Sequence, residues 1–358
     1  MVDGHRPITW SDRRGTTANC TLREVDDMFE MGIWMPTDVP LADIVEAARV
    51  ADEEGFDYAF LADWGAGTRD VFVSMAAIAA ATKRIKMGPG ITNPYLRHLV
   101  VSATAVATVD EMSGGRAFMG LGLGGEATLL NPLGVHVERP LKMMREAIEL
   151  LRSYYSGQSV QYDGEFFHVH GVSSRFARPD IPIYYAARGN QMLKLGGELT
   201  DGLLITGTAR FDLQRTIEAF RQGAAISGRR PKLIYGTKLA YLPDMINDMR
   251  QDLAMVISAS PESVHQGLGL TPRQVEEIRL GVENNDAAAA TVHVTDDVAA
   301  NFVIMGSEDE CAAEIAAVMT QYRLDVYCVV VPKKMAPEPA IRKSAEIIRK
   351  AQRLVAAT

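Results

Sequence analysis

Short, nearly continuous apolar runs alternate along this chain with longer stretches in which apolar residues return every three or four positions. The first kind reads as strands covered on both faces, the second as helices with one apolar stripe. The pattern predicts a strand over 31–35 and a helix over 41–54, the latter with Leu41, Ile44, Val45, Ala48 and Ala51 on one face. Three more pairs follow: strand 58–62 with helix 70–81, strand 86–90 with helix 99–112, and strand 117–123 with helix 141–155. Then come strand 183–186 with helix 191–199, strand 203–206 with helix 213–226, strand 233–242 with a long helical region, and strand 325–331 with helix 340–354. About eight β/α pairs in succession predict an α/β fold, a (β/α)8 TIM barrel.

Two interruptions and one extension complete the outline. Residues 160–169 hold an Asp163-Gly164 turn between strand-like residues and predict a β-hairpin before the fifth barrel strand. Residues about 244–305 hold several helical patterns, broken near Ser260-Pro261 and Thr271-Pro272. That is too long for one β/α unit, and predicts a helical insertion that covers the barrel mouth or forms an interface. Residues 1–27 read as an N-terminal arm, leaving 28–358 as a single domain.

Composition narrows the function classes. With 47% hydrophobic and 23% charged residues in 358, the chain has the material for a sizeable core. Its net charge of -8 argues against nucleic acid as a partner. Between Arg188 and Lys238, however, nine basic residues stand against four acidic ones. That segment either steers a phosphorylated small molecule or forms solvated helix faces. Three scattered cysteines without CxxC spacing indicate neither a disulfide framework nor a zinc site, and fit a cytoplasmic location. No run approaches the roughly 18 apolar residues that a membrane span needs.

The stretch 86–126 is the most informative chemically. It holds two strand-to-loop junctions, one running into Gly90-Ile91-Thr92-Asn93-Pro94 and the other into Gly124-Gly125-Glu126, and strand C-termini are where α/β folds bind ligands. Gly120, Gly122 and Gly125 match GxGxxG after a strand. No helix is expected to begin at Gly125, and the acidic partner of a dinucleotide site is missing, so the glycines read as a loop that a ring system approaches closely, or as a structural turn. Ala186-Ala187-Arg188-Gly189-Asn190 lies between a strand and a helix start, where backbone N–H groups and Arg188 suit a phosphate. Thr206 and Gly207 end the next strand within reach of the same group, or form a plain β/α turn. His168 and His170 share a strand face but have no third ligand nearby in sequence, so no metal site is expected. HExxH, GxSxG and Walker patterns are absent.

The segments GPGITNPYLRH, DEMSGGRAFMGLGLGGE, RPLKMMREAIELLRSYYSGQSVQYDGEFF, IPIYYAARGNQMLKLGGELTDGLLI and FVIMGSEDECAAEI together resemble the luciferase-like flavin and deazaflavin oxidoreductases. Within them the chain is most similar to the coenzyme F420-dependent methylenetetrahydromethanopterin reductase branch, over roughly residues 29 to 355. The resemblance implies a bacterial luciferase-like barrel and a non-prolyl cis peptide at Gly90-Ile91 that backs the cofactor ring, with Thr92 and Asn93 beside it. It implies Asp63 at the ring edge, Gly124 and Gly125 around the ring, and Glu126 as an acid or hydride-step stabiliser; Asp38 is a second acid/base candidate. Ala186 to Asn190, Thr206 and Gly207 would follow the ring and its phosphorylated tail. Two positions depart from the family pattern: Trp64 stands where many deazaflavin members have histidine, and Trp34 where the reductase branch has a carboxylate. Both tryptophans become candidate substrate walls. The implied function is an oxidoreductase that moves a hydride between a 5-deazaflavin and a small organic substrate, a C1-carrying pterin among them. The alternative is an FMN-dependent two-component monooxygenase, fed by a separate flavin reductase. The resemblance also implies a homodimer.

Overall fold

The computed structural model describes residues 28–330 and 337–357. The expected arm, 1–27, lies outside the described residues, as does the last residue of the expected strand 325–331. Eight parallel strands form the barrel: β1 (Glu30–Met35), β2 (Tyr58–Leu61), β3 (Lys86–Pro89), β4 (Met119–Gly122), then β7 (Ile183–Ala186), β8 (Gly202–Thr206), β9 (Lys232–Ala240) and β11 (Val326–Val330). Their order is β3-β2-β1-β11-β9-β8-β7-β4, and bridges from Met87 to Ala117 and from Thr92 to Leu121 join the two ends into a closed barrel. The hairpin is present as β5 (Val160–Asp163) and β6 (His168–Val172), antiparallel as predicted. Its connection is four residues, with Gly164 N–H donating to Phe167 O at 2.9 Å.

The outer layer consists of α1 (Leu41–Glu53), α2 (Val71–Ala81), α3 (Leu99–Ser113), α4 (Pro140–Tyr155), α5 (Asn190–Leu199), α6 (Leu213–Ser227), and, after the insertion, α12 (Glu308–Tyr322) and α13 (Pro337–Ala356). Helices α7 (Met245–Ser258), α8 (Glu262–Gly267), α9 (Pro272–Glu283), α10 (Ala287–Thr291) and α11 (Asp296–Ala299) make up the insertion. The expected boundary at 305 is corrected, because β10 (Val303–Met305) pairs in parallel with the end of β9 and belongs to the main sheet.

Strand alternation sorts side chains into two cores. Tyr58, Phe60, Phe118, Tyr184, Leu204, Ile234, Val326 and Cys328 fill the barrel interior. Ile33, Met35, Ala59, Leu61, Met87, Met119, Leu121, Ile183, Leu203 and Val329 face the helices in the other core. Carboxylates pin the lower strand ends to their neighbours: Asp57 accepts from Met31 N–H at 2.9 Å, Asp201 from Ile183 N–H at 2.8 Å and Asp325 from Leu233 N–H at 2.7 Å. Inside that end, Lys86 and Lys232 reach the Tyr58 hydroxyl at 3.2 and 3.0 Å, and Lys232 pairs with Glu30. The lower barrel is plugged by these contacts and the aromatic layer above them.

The β3–β4 junction is irregular. Five steps along the chain from Met87 to Thr92 face four steps from Ala117 to Leu121, so the β3 side carries one extra residue, a bulge. Gly90-Ile91 within it is cis. Two glycines of β4 make room: a Cβ on Gly120 would lie 1.9 Å from Pro89 O, and one on Gly122 would lie 2.1 Å from Ile91 Cδ1 and 3.0 Å from Ala186 O. Gly120→Ala is expected to lower the unfolding free energy by about 2–3 kcal/mol through backbone overpacking. Gly189→Ala, at a position where nothing lies within 4 Å, should stay within about 0.5 kcal/mol. Urea unfolding of the two variants checks this; equal losses would contradict it.

Candidate active site

The mouth is built from the loops that leave the C-terminal strand ends. In the upper interior, Trp34 stacks on Phe60 with ring centroids 5.8 Å apart and planes 25° off parallel. Trp34, Ile91 and Ala186 are partly exposed and cap the filled interior, so they form the floor of the mouth. The Trp34 edge lies beside the bulge, its Cζ2 3.2 Å from where a Cβ on Gly90 would be.

Behind the bulge, Thr92 and Asn93 are buried, at 3% and 2% exposure. Thr92 N–H donates to Gly120 O at 2.9 Å, and Gly122 N–H donates to Thr92 O at 3.0 Å. Asn93 Oδ1 accepts from Tyr95 N–H and Leu96 N–H, both at 3.0 Å, so its carbonyl end is spent on the turn.

The glycine segment works differently from expectation. Gly120 and Gly122 lie in β4 and serve the neighbouring strand, whereas Gly124, at φ +80°, makes the turn. A helical turn does begin after Gly125, which corrects the expectation that none would. Leu129 N–H and Leu130 N–H both reach Gly125 O, at 2.8 and 3.1 Å, in one wide turn over Glu126–Leu130. Wide turns of this type occur often at functional sites. Glu126 is its first residue; its side chain is exposed and makes no hydrogen bond or ion pair with a described residue.

On the β1 and β2 side, Asp63 is half-buried, and its Oδ1 accepts from Gly65 N–H at 3.3 Å. Trp64 beside it is 47% exposed on the rim. Asp38 is exposed, and its carbonyl accepts from Arg69 at 3.0 Å. Thr37, which the sequence reading missed, is buried and ties the two loops together: its hydroxyl donates to Ala62 O at 2.7 Å, and its carbonyl accepts from Arg69 N–H at 2.9 Å.

Across the mouth, a small pocket unites Arg188 and Gly207 with Thr208, Ala209, Asp212, Arg215, Thr216, Ser260, Pro261 and Val264. Asp212 and Arg215 form a two-point pair at 2.6 and 2.7 Å, and Arg215 also holds Arg188 O and the Asn190 side chain. The Arg188 guanidinium, by contrast, makes no hydrogen bond or ion pair with a described residue. Burial holds its pKa below the usual range, with the Asp212 charge acting in the opposite direction. Ser260, Pro261 and Val264 come from the insertion, which therefore supplies one wall of this pocket. Asp212, Arg215 and Ser260 escaped the sequence reading because only the fold brings them to Arg188. Thr206 does not line this pocket but lies on the interior face of β8 above Leu204: its methyl lies 2.8 Å from where a Cβ on Gly236 would be, across the strand pair. Gly189 and Asn190 begin α5 beside the pocket.

His168 and His170 lie on the hairpin, away from the mouth. A carboxylate is near after all, Asp163 Oδ1 at 3.2 and 3.1 Å from their ring nitrogens. Even so, no group of three or more such side chains among the described residues is arranged to hold a metal ion.

The class defined by this fold and mouth is a (β/α)8 barrel with its chemistry at the strand C-termini. More narrowly, the chain belongs to the luciferase-like monooxygenase family, whose model matches residues 27–324. It is 32% identical over 334 residues to a 5,10-methylenetetrahydromethanopterin reductase of Archaeoglobus fulgidus, covering 90% of this chain and 98% of the relative. It is 30% identical over 294 residues to an F420-dependent glucose-6-phosphate dehydrogenase of Mycobacterium avium, covering 76% and 83%. The solved coenzyme F420-dependent tetrahydromethanopterin reductase of Methanopyrus kandleri superposes with a TM-score of 0.82 at 26% identity, covering 90% of this chain and 99% of that one.

A partly buried guanidinium without a partner among the described residues should be stabilised by an oxyanion through mass action. Sulfate is expected to raise the unfolding temperature of the parent chain more than that of Arg188→Met, the general salting-out effect of sulfate being common to both. An equal rise in the two would place the anion elsewhere.

Proposed function

We propose that this chain is a coenzyme F420-dependent oxidoreductase that moves a hydride between the 5-deazaflavin and a small organic substrate. The observation that carries the reading is Arg188, partly buried and without a side-chain partner among the described residues, set in a small pocket across the mouth from a bulged, glycine-accommodated β3–β4 junction. This pairing of an anion pocket with an apolar floor fits a flat ring that bears a phosphorylated tail. The names of the relatives add the deazaflavin to that fit. When bound, the deazaflavin supplies the hydride donor or acceptor.

The residues of this chain bind, orient and manage the proton. The bulge at Gly90, Ile91, Thr92 and Asn93 backs the ring, Gly124 and Gly125 border it, and Asp63 faces its edge. Ala186, Ala187, Arg188, Gly189, Asn190, Thr206 and Gly207 follow the chain from ring to phosphate. Glu126 is free to carry a proton at the open side, and Asp38 is a second carboxylate on the same rim. Trp34 and Trp64 wall the substrate. With Trp34 where the reductase branch has a carboxylate, the floor favours an apolar or aromatic substrate; a C1-carrying pterin stays among the candidates to be assayed. The buried free thiols of Cys311 and Cys328 support a cytoplasmic location, and no helix among the described residues is long and apolar enough to cross a membrane.

Equilibrium fluorescence titration with coenzyme F420 and FMN side by side tests the cofactor. Tighter deazaflavin binding is expected, weakened about tenfold or more in Arg188→Met; preference for FMN would favour the two-component monooxygenase, and binding of neither would sink both. Glu126→Gln is expected to slow turnover about 100-fold or more while leaving cofactor affinity unchanged.

The homodimer is part of the same proposal. Its support is the outward face of α2 and α3, where Val73, Val101 and Met112 are 53–59% exposed. Sedimentation equilibrium should give a dimer that Val101→Lys with Met112→Lys converts to monomer. A monomeric parent chain would refute this.

A further inference from the structure

The Tyr95 hydroxyl is buried and has no hydrogen-bond partner among the described residues. Such a phenol has left water without gaining an acceptor, which is unfavourable and requires an explanation. The backbone that carries it is held firmly. Asn93 Oδ1 accepts from Tyr95 N–H and Leu96 N–H. Leu96 and Leu129 crowd Gly65, their Cδ1 atoms 3.1 and 3.3 Å from where a Cβ would stand there. With the Tyr95 loop locked on both sides, an acceptor has to come to the hydroxyl.

The loop that carries Glu126 packs on the Tyr95 loop: Asn93 Cβ lies 3.7 Å from where a Cβ on Gly124 would stand, and Leu129 meets Leu96 beside Gly65. Two groups feel the charge of the hydroxyl. Tyr185 feels its charge, but the Tyr185 hydroxyl is turned to Met192 Sδ at 3.8 Å. Glu126 is the other. Burial and then the Glu126 charge push the Tyr95 phenol up to about 12. Glu126 opens the wide turn, has a long flexible side chain, and has no hydrogen bond or ion pair with a described residue to give up.

We infer that Tyr95 is a positioning residue: its hydroxyl is the donor onto which the Glu126 carboxylate docks when that side chain turns in from solvent. Docked, the carboxylate is held at the inner edge of the mouth rather than sampling water. The inference rests on the reading of Glu126 as the proton carrier, since only then does its position govern turnover.

The test uses the full chain. Tyr95→Phe keeps the ring and removes only the hydroxyl, so folding is preserved. Urea unfolding of Tyr95→Phe, Glu126→Ala and the double variant forms a cycle, in which the double variant is expected to lose less than the sum of the singles. Additive losses overturn the inference. In turnover, the probe is oxidation of reduced coenzyme F420 with 5,10-methylenetetrahydromethanopterin. Tyr95→Phe is expected to lower kcat about tenfold with KM for the probe unchanged, which a merely structural role would not do. A loss carried by KM, or no loss, overturns it. Full turnover by Glu126→Gln would sink the proton-carrier reading separately, because the cycle reports docking without any activity. If the probe is not turned over by the parent chain, the cycle alone decides.

Discussion

Closure of the barrel between β3 and β4 is the constraint on which the rest depends. The other strand neighbours are joined by regular ladders, but this pair meets only at bridges on either side of a bulge. The bulge can lie against β4 because Gly120 and Gly122 present no side chain: Pro89 O occupies the space beside the first, and Ile91 the space beside the second. The same displacement pushes Ile91 into the barrel axis, next to Trp34 and above the filled interior. Closing the sheet and shaping the floor of the mouth are therefore one packing solution, and a side chain on either glycine would disturb both.

Polar groups are distributed unequally between the two ends of the barrel. At the lower end most are committed, Arg152 Nε being an exception: Asp57, Asp201 and Asp325 cap strand starts, and Arg116 donates to Ile85 O, Ala79 O and Thr82 O around the foot of the β3–β4 junction. At the mouth, Arg188, Glu126 and the Tyr95 hydroxyl lack partners among the described residues. Charged and polar groups that forgo internal partners near strand C-termini are the ones left able to bind a ligand. The division separates residues that stabilise the barrel from those that can serve it. It also accounts for Asp212, which belongs to the first kind: its two-point bond to Arg215 fixes the pocket wall and leaves Arg188 as the uncommitted cation.

How much of this could be read beforehand follows from the range of the interactions. The strands were legible because burial on both faces demands unbroken apolar runs, and β7 (Ile183–Ala186) matches its expected bounds. The hairpin was legible from its turn chemistry. The purpose of Gly120 and Gly122 was not, because a one-dimensional motif cannot distinguish a glycine that admits a ligand from one that admits a neighbouring strand. The wide turn at Glu126 was missed for a related reason. EATLL is too short for a helical period to register, and the turn is held by only two carbonyls, Gly125 O and Glu126 O. Thr37, Asp212, Arg215 and Ser260 carry no local signature, since each matters through a partner more than 20 residues away or on another loop.

The filled interior bears on how relatives of one fold differ in what they act on. Tyr58, Phe60, Phe118 and Tyr184 are packed ring against ring, with centroids 5.0 to 6.1 Å apart, directly beneath the floor. A ligand cannot descend past them, so the surface it meets is the floor and the rim. The floor residue Trp34 stacks on Phe60 and is thereby held in orientation by the layer below. The rim residue Trp64 stacks on no described ring and stands next to Gly65 and Gly67, both at positive φ. One tryptophan is thus a rigid surface and the other an adjustable one. The rigid tryptophan leaves the floor uncharged, while Glu30, Lys86 and Lys232 hold their charges at the opposite end of the barrel.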